Sequence, residues 1–245
     1  MNKYHSPAYF LSDCHLPLIP RPGQEEWTPT VVRFLRKIAS DARTLFIVGD
    51  LFDFWFEWRY SVPSAAFPIL TELSNLRKKN IDIIYIAGNH DGHLGNFLKN
   101  EVDLTISREP IDVEIDSRKF HIIHGDGIAK SDHGYRILRG LVRWKMTEKI
   151  YKLVHPDLGI WFARCISKHS RITGGNPKAG RLEYYTNYAD RKLDSGFNFV
   201  VMGHIHEAKM FPHHNGGFFS IGEWMKKHSY GVFKEDEMEL EFFEE

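Results

Sequence analysis

Residues that can bind metal ions or transfer protons follow five short apolar runs of the chain. They form the clusters Asp13-Cys-His15, Gly49-Asp50-Leu-Phe-Asp53, Gly88-Asn89-His90-Asp91, His124-Gly125-Asp126 and Gly203-His204-Ile-His206. In an open α/β sheet, ligands bind in the crevice outside the carboxyl ends of the strands. A lone Asp after Gly or a lone His-x-His pair is ordinarily structural, but five such clusters after five apolar runs are hard to explain as five turns. The pattern therefore predicts one functional site built from five strand ends.

The residue types in these clusters suit divalent metal ions. Carboxylate oxygens and imidazole nitrogens together bind divalent first-row metals, whereas a structural zinc site would need clustered cysteines, and the chain has only two. Asp13 and His15 are two residues apart, so in an extended segment both side chains point the same way and can reach one ion. His204 and His206 share that spacing. The candidate ligands outnumber what one ion needs, and they indicate two ions about 3.5–4 Å apart, with Asp50 between them.

Apolar periodicity along the rest of the chain predicts the elements that position these clusters. Buried-strand runs and helical spacings alternate, the runs at 8–11, 45–48, 83–86, 111–115, 120–123 and 199–202, and the helices at 27–38, 64–79, 131–170 and 179–194. Pro68 is tolerable only near the start of its helix, and Pro156 breaks the long helical region. Residues 218–243 are predicted to form antiparallel strands. The order of elements is typical of parallel strands covered by helices, and it predicts an α/β (α+β) sandwich with a helical insertion.

Composition limits the class of protein. A chain of 245 residues fits one large domain. The 32 basic and 32 acidic residues argue against bulk binding of nucleic acid. Two cysteines are too few for a disulfide framework, and so low a number suits a reducing compartment. The polar start of the chain does not have the pattern of a signal peptide, and no apolar run approaches the roughly 20 residues of a membrane span. We therefore expect a cytoplasmic location.

The five motifs, in this order from residue 13 to residue 206, resemble the calcineurin-like metallophosphoesterase superfamily. The resemblance implies a four-layer αββα sandwich, in which helices flank a pair of mixed sheets, as a single domain over residues 1–245. It also implies two divalent metal ions. One ion would be bound by Asp13, His15, Asp50 and His206. The other would be bound by Asp50, Asn89, His124 and His204.

The neighbours of these ligands have predicted roles in a two-metal phosphoesterase. His90 follows the ligand Asn89, so we expect it to stabilise developing charge or to protonate the leaving oxygen. Asp91 is predicted to hold the His90 ring in one orientation and to belong with it to the catalytic pair. Asp53 and Asp126 are predicted to support the metal ligands from behind.

A basic segment separates the fourth cluster from the fifth. Residues 130–171 contain ten lysines and arginines and three acidic residues, in a chain with no net charge. A basic amphipathic helix pair can lie on an anionic membrane surface or bind a phosphorylated lipid. A helix pair that packs its apolar face on the domain and exposes a solvated basic face explains the composition equally well.

The layout of the chain further resembles the UDP-2,3-diacylglucosamine pyrophosphatase family of lipid A biosynthesis. The resemblance lies in the long insertion and in the segments Gly49-Asp-Leu-Phe-Asp-Phe-Trp55, His124-Gly-Asp, Ser131-Asp-His-Gly-Tyr135 and Ile221-Gly-Glu-Trp224. It implies cleavage of the pyrophosphate of a nucleotide-linked lipid to lipid X and UMP, with Mn²⁺ as the expected metal. The reaction would take place at the cytoplasmic face of the inner membrane, with the protein bound peripherally. The insertion, residues 131–171, would be a lid with an apolar groove for acyl chains.

The resemblance also implies contacts with that substrate. They come from the metal cluster and from the insertion, namely Asn89, His90, His204, Asp132, Tyr135 and Arg139. The chain departs from the family at His90, where the better-known enzymes have Arg. Asn176 and Lys178 only partly match the family's downstream contacts.

Other functions fit parts of the sequence. A soluble phosphodiesterase or nucleotide pyrophosphatase with a non-lipid substrate would not need an apolar groove in the insertion. A protein phosphatase would need a docking feature that the sequence does not offer. A non-catalytic interaction module on the same fold would be expected to lose ligands or His90, whereas all seven predicted ligands and His90 are present. Neither nucleic acid nor a protein partner is predicted.

Overall fold

Two six-stranded β-sheets form the centre of the protein in a computed structural model that describes residues 1–128, 149–161 and 181–244. The strands in chain order are β1 (Asn2–Tyr4), β2 (Ala8–Leu11), β3 (Thr44–Val48), β4 (Asp82–Ile86), β5 (Thr105–Ser107), β6 (Ile111–Ile115), β7 (Arg118–Ile123), β8 (Phe199–Met202), β9 (Lys209–His213), β10 (Gly216–Ser220), β11 (Ser229–Lys234) and β12 (Glu237–Phe242). The named helices are α1 (Trp27–Ile38), α2 (Phe67–Lys78), α3 (Asn96–Asn100) and α4 (Arg181–Asp194), and a 3-10 turn (Ser64–Ala66) precedes α2.

Sheet I contains the strands that precede the first three polar clusters. Its order is β12-β11-β2-β3-β4-β5, and β2 to β5 run parallel. All five residues of β3 are buried, because a parallel strand covered on both faces is apolar throughout. Helix α1 buries Val31, Phe34, Leu35 and Ile38, a spacing that forms one apolar helical stripe. Helix α2 begins with Pro68 in its first turn, as predicted.

Sheet II contains the strands that precede the other two clusters. Its order is β1-β6-β7-β8-β10-β9, and β8 runs parallel to both of its neighbours, β7 and β10. The pairing places Ile123, the last residue of β7, beside Met202, the last residue of β8. Both strands therefore end at the same edge of the sheet.

Three apolar clusters show that the protein has four layers. One cluster lies between sheet I and the helices α1 and α2, with Phe34 and Leu73 among its members. A second joins the two sheets face to face and includes Phe46 and Phe120. A third lies between sheet II and α4. The predicted αββα sandwich is confirmed.

Several elements differ from the sequence-based expectations. Strand β10 does not belong to one antiparallel C-terminal set, because it pairs parallel with β8 and antiparallel with β9. Strand β9 was not predicted, because it contains Pro212. Sheets accept proline in an edge strand, and β9 lies at the edge of sheet II. Strands β1 and β5 also lacked a signal, since each has three residues and lies at an edge.

The predicted insertion lies largely outside the described residues. Within it, residues 149–151 and 156–161 are helical, and the second stretch starts at Pro156, where the break was predicted. The rest of 131–171 is not among the described residues. In the described ranges, no helix combines the length and the apolar character that crossing a bilayer requires.

Candidate metal centre

The backbone adopts an uncommon conformation at three of the five strand ends, those after β2, β3 and β8. Asp13, His15, Asp50, His204 and His206 have positive φ angles of 52°, 45°, 52°, 64° and 59°. Residues other than glycine rarely adopt such angles, and those that do are concentrated at functional sites. Hydrogen bonds between neighbouring loops fix this geometry, since the amide of His15 donates to the carbonyl of Asp50 over 2.9 Å.

Glycines before the clusters allow the loops to approach one another closely. A Cβ atom at Gly88 would lie 2.1 Å from Oδ1 of Asp50, and one at Gly203 would lie 2.0 Å from Oγ of Ser12. Both distances are far shorter than real contacts of a Cβ atom. A side chain at either position would therefore displace a residue of the cluster.

The first predicted set of ligands converges around Asp13. Nε2 of His206 lies 3.1 Å from Oδ1 of Asp13 and 3.2 Å from Nε2 of His15. Nε2 of His15 lies 3.7 Å from Oδ1 of Asp13 and 3.8 Å from Oδ2 of Asp50. His206 comes from sheet II, whereas the other three come from sheet I.

The second predicted set shares Asp50 with the first. Nε2 of His124 lies 3.4 Å from Oδ2 of Asp50 and 3.2 Å from Oδ1 of Asn89. Nδ1 of His204 lies 3.0 Å from the same oxygen of Asn89. Oδ2 of Asp50 thus faces His15 on one side and His124 on the other, as a ligand shared by two ions would.

The donor atoms of both sets fit divalent cations. Oδ1 of Asp13 and Nδ1 of His15 are buried and have no hydrogen-bond partner among the described residues. Burial raises the pKa of the Asp50 carboxyl, but the nearby His124 and His90 outweigh it and hold the pKa below its usual range. Burial, with the charge of His124, lowers the pKa of His204 to about 4, which leaves its imidazole neutral. Buried carboxylates and neutral imidazoles are the protonation states that bind metals.

Asp53, rather than Asp91, contacts the ring of His90. Nδ1 of His90 lies 3.0 Å from the carbonyl oxygen of Asp53 and 3.7 Å from its Oδ1. The ring packs edge-on against that of His15, with centroids 4.7 Å apart. The predicted support by Asp53 therefore extends to both histidines, since its Oδ1 is 4.0 Å from Nδ1 of His15.

The prediction that Asp91 orients the His90 ring is wrong. Its carboxylate accepts hydrogen bonds from the amides of Leu51 and Gly88, at 2.9 and 2.8 Å, and from the hydroxyl of Tyr85. Asp91 is fully buried, and burial followed by the charge of Asp50 raises its pKa to about 6. The side chain of Asp91 therefore connects the loops that follow β3 and β4, and it helps to fix the positions of Asp50 and Asn89 in those loops.

The structure describes only some of the other predicted residues. Asp126 is buried. Burial lowers the pKa of His124, but the charges of Asp50, Asp13 and Asp126 outweigh it and hold the pKa above its usual range. At His204 burial outweighs the same charges. Asp132, Tyr135 and Arg139 lie outside the described residues.

Three supporting residues were not predicted. The hydroxyl of Ser12 donates to Oδ2 of Asp13 over 2.5 Å, and the amide of Trp224 donates to the carbonyl of Asp13 over 3.2 Å. Tyr85 lies inside β4, where its hydroxyl reaches Asp91. The position of Ser12 directly before the first cluster was a usable signal, but nothing local distinguishes Tyr85 from a core residue.

Replacement of Gly88 by alanine is expected to weaken metal binding by about 10–100-fold, the usual cost of disturbing a group that supports a ligand. The new methyl group would push Oδ1 of Asp50 out of place. Gly196→Ala is the control, because nothing lies within 4 Å of the added carbon, while its φ of +99° adds a backbone strain that Gly88 does not have. Titration of the metal-free proteins with Mn²⁺ measures the effect. Equal affinities for the two variants would contradict the expected displacement.

Comparisons with known proteins agree with this geometry. The family model for calcineurin-like phosphoesterases matches residues 6–208. A UDP-2,3-diacylglucosamine hydrolase from Porphyromonas gingivalis is 28% identical, with 98% of each chain covered. A protein of the same name from Neisseria meningitidis serogroup B is 28% identical over 89% of this chain and 90% of its own. Among solved structures, an archaeal phosphodiesterase has the same fold, with a TM-score of 0.50, 19% identity and coverage of 96% of this chain and 99% of its own.

Proposed function

The chain belongs to the calcineurin-like phosphoesterase family, and from that premise we propose that it hydrolyses UDP-2,3-diacylglucosamine. The pyrophosphate is cleaved to give UMP and lipid X, which is 2,3-diacylglucosamine 1-phosphate. The observation that carries the proposal is the similarity to a UDP-2,3-diacylglucosamine hydrolase over 98% of both chains. Such coverage includes the insertion as well as the five motifs. The protein is a hydrolase by its family, and the proposal concerns its substrate.

Two divalent ions take part in the proposed reaction, and Mn²⁺ is the expected metal. Asp13, His15, Asp50 and His206, which lie close together, would hold one ion. Asp50, Asn89, His124 and His204 would hold the other. Paired ions of this kind activate water as a nucleophile and neutralise charge on phosphoryl oxygens.

His90 acts in the proposed reaction at the leaving oxygen. Its Nδ1–H donates a hydrogen bond to the carbonyl of Asp53, 3.0 Å away, which fixes the orientation and the tautomer of the ring. Nε2 is then the nitrogen that holds the proton for the leaving group when the ring is charged. The amide of His90 also donates to Oδ1 of Asp50 over 2.8 Å, so the position of His90 is fixed relative to the predicted metal ligand Asp50. Asn89 and His204 contact the substrate beside it.

The lipid half of the proposed substrate requires contact with a membrane surface. We therefore place the protein in the cytoplasm, bound peripherally to the inner membrane, with residues 131–171 as a lid over the acyl chains. The described part of this segment supports the proposal, because Leu153, Leu158 and Trp161 are 87%, 62% and 60% exposed. Exposed Lys149 and Lys152 lie among them, and apolar side chains mixed with lysines suit an anionic membrane. No protein partner enters the proposal.

Hydrolysis of UDP-2,3-diacylglucosamine tests the substrate and the metal together. We expect release of UMP with Mn²⁺, no release after chelation, and recovery when Mn²⁺ is restored. UDP-N-acetylglucosamine and a generic phosphodiester are the controls. The first has the same pyrophosphate without long acyl chains, and the second has phosphoester bonds and no pyrophosphate. Metal-dependent activity on the generic ester alone would replace the proposal with a soluble phosphodiesterase. Activity that survives chelation would contradict the role of the metal cluster.

A further inference from the structure

A pocket with mostly apolar walls opens beside the metal cluster. The apolar part of its lining consists of Pro17, Leu18, Ile19, Phe54 and Ile160. The space among these residues is about 330 Å³ when the open solvent at its mouth is counted. Phe54 is half-buried and Ile160 comes from the described part of the insertion. The pocket therefore lies between the domain and the insertion.

The walls of the pocket continue directly from two loops that carry metal ligands. The amide of Leu16 donates to the carbonyl of Leu51 over 3.0 Å, and the amide of Asp53 donates to the carbonyl of Leu16 over the same distance. Asp53 lines the pocket and also lies within 4.0 Å of the rings of His15 and His90. A molecule in the pocket would therefore extend from a phosphate held at the cluster.

Arg21 presents the only cationic side chain among the described residues that line the pocket. It begins a tight turn with Pro22 and Gly23, in which Gly23 has a φ of +86°. The amide of Gln24 donates to the carbonyl of Arg21 over 2.9 Å, and the amide of Arg21 donates to Oε1 of Gln24 over 3.1 Å. Proline followed by glycine at these positions is typical of a rigid type II turn. The backbone that carries the guanidinium is therefore held in place.

We propose that this pocket binds the nucleoside monophosphate half of the substrate and that Arg21 contacts its phosphate. The inference rests on the proposed function, because it takes a nucleotide-linked pyrophosphate as the substrate. A pyrophosphate has a second charged phosphate next to the one that is attacked, and a guanidinium matches phosphate oxygens in geometry and charge. Phe54 contributes an aromatic ring to the lining, and aromatic rings pack favourably against one another, as a base would against this ring.

An acyl chain suits this pocket less well. It would cover the guanidinium of Arg21 without giving it a partner, and burial of an unpaired polar group is costly. A nucleotide suits both parts of the lining. Its phosphate oxygens and sugar hydroxyls can contact the polar residues of the pocket, and its flat base can contact the apolar ones.

Binding of UMP to the Mn²⁺-loaded protein, measured by calorimetry, tests the proposal. We expect Arg21→Ala to raise the Kd for UMP about tenfold, the loss expected for one charge-assisted hydrogen bond, and Arg21→Lys to raise it less. Arg43→Ala is the matched control, because Arg43 is an exposed arginine just before β3, at the end of the sheet opposite the cluster. It should bind UMP like the unmodified protein. Circular dichroism establishes that each variant is folded.

Binding of lipid X in the same experiment separates the two halves of the substrate. Weakened binding of UMP with unchanged binding of lipid X supports the proposal. Weakened binding of lipid X alone would assign the pocket to the lipid half and overturn it. If the protein cleaves UDP-2,3-diacylglucosamine and Arg21→Ala binds UMP normally, the pocket inference fails and the proposed function stands. If it does not cleave that lipid but loses UMP affinity in Arg21→Ala, the nucleotide site stands and only the lipid substrate fails.

Discussion

Replacement of Asp50 by asparagine is expected to lower kcat/KM about 10³-fold or more, since a metal ion supplies several kcal/mol of transition-state stabilisation and each 1.36 kcal/mol is worth a factor of ten. Oδ2 of Asp50 lies 3.8 Å from Nε2 of His15 and 3.4 Å from Nε2 of His124, so it faces both ligand sets. Asparagine keeps the shape of the side chain but removes its charge. We therefore expect the variant to fold and to bind fewer than two ions.

Metal analysis and hydrolysis of the substrate that the unmodified protein cleaves check this result together. Asp82→Asn is the matched control, because Asp82 is an exposed aspartate at the start of β4, next to β3 in sheet I. It should keep both ions and full activity. If Asp50→Asn also kept two ions and full activity, Asp50 would not be the shared ligand.

The second large effect concerns stability, and Phe120→Ala is expected to lower the free energy of unfolding by about 3–5 kcal/mol. Phe120 is fully buried between the two sheets. Its ring centroid is 4.7 Å from that of Phe199, 5.0 Å from that of Phe233 and 5.9 Å from that of Phe10. The alanine variant would leave a cavity that this packed layer cannot close.

Urea unfolding measures that loss. Phe120→Leu should lose less than Phe120→Ala, because leucine fills part of the space. Phe242→Ala is the control at a 52% exposed phenylalanine, and surface changes of this kind usually cost under about 0.5 kcal/mol. A loss for Phe120→Ala no larger than that for Phe242→Ala would show that the sheets repack around the cavity.

The site could be predicted because its signals are local. Each predicted ligand follows a short apolar run, and the runs are strands buried on both faces, as Thr44–Val48 shows. A run of this kind fixes where the strand ends, and parallel strands in one sheet end at the same edge. The helix at Trp27–Ile38 could be predicted for the same reason, since its apolar residues recur at helical spacing.

The failures arose where a partner is distant in sequence. Asp91 is next to His90 in the chain, but the loop turns its carboxylate inward to the amides of Leu51 and Gly88. Nothing in the residues around Asp91 reveals that direction, because it depends on where the loop after β3 passes. Strand β10 was misplaced for a related reason, since its parallel pairing with β8 requires a crossover that the local pattern does not contain.

The two ligand sets draw on both halves of the sandwich. His206 belongs to the loop after β8 in sheet II and faces Asp13 after β2 in sheet I, while His124 after β7 faces Asp50 after β3. An ion bound in either set would therefore connect the two halves. Since a ligand that binds only the folded state adds stability by mass action, the concentration of free metal would raise the free energy of unfolding of this protein, separately from its effect on turnover.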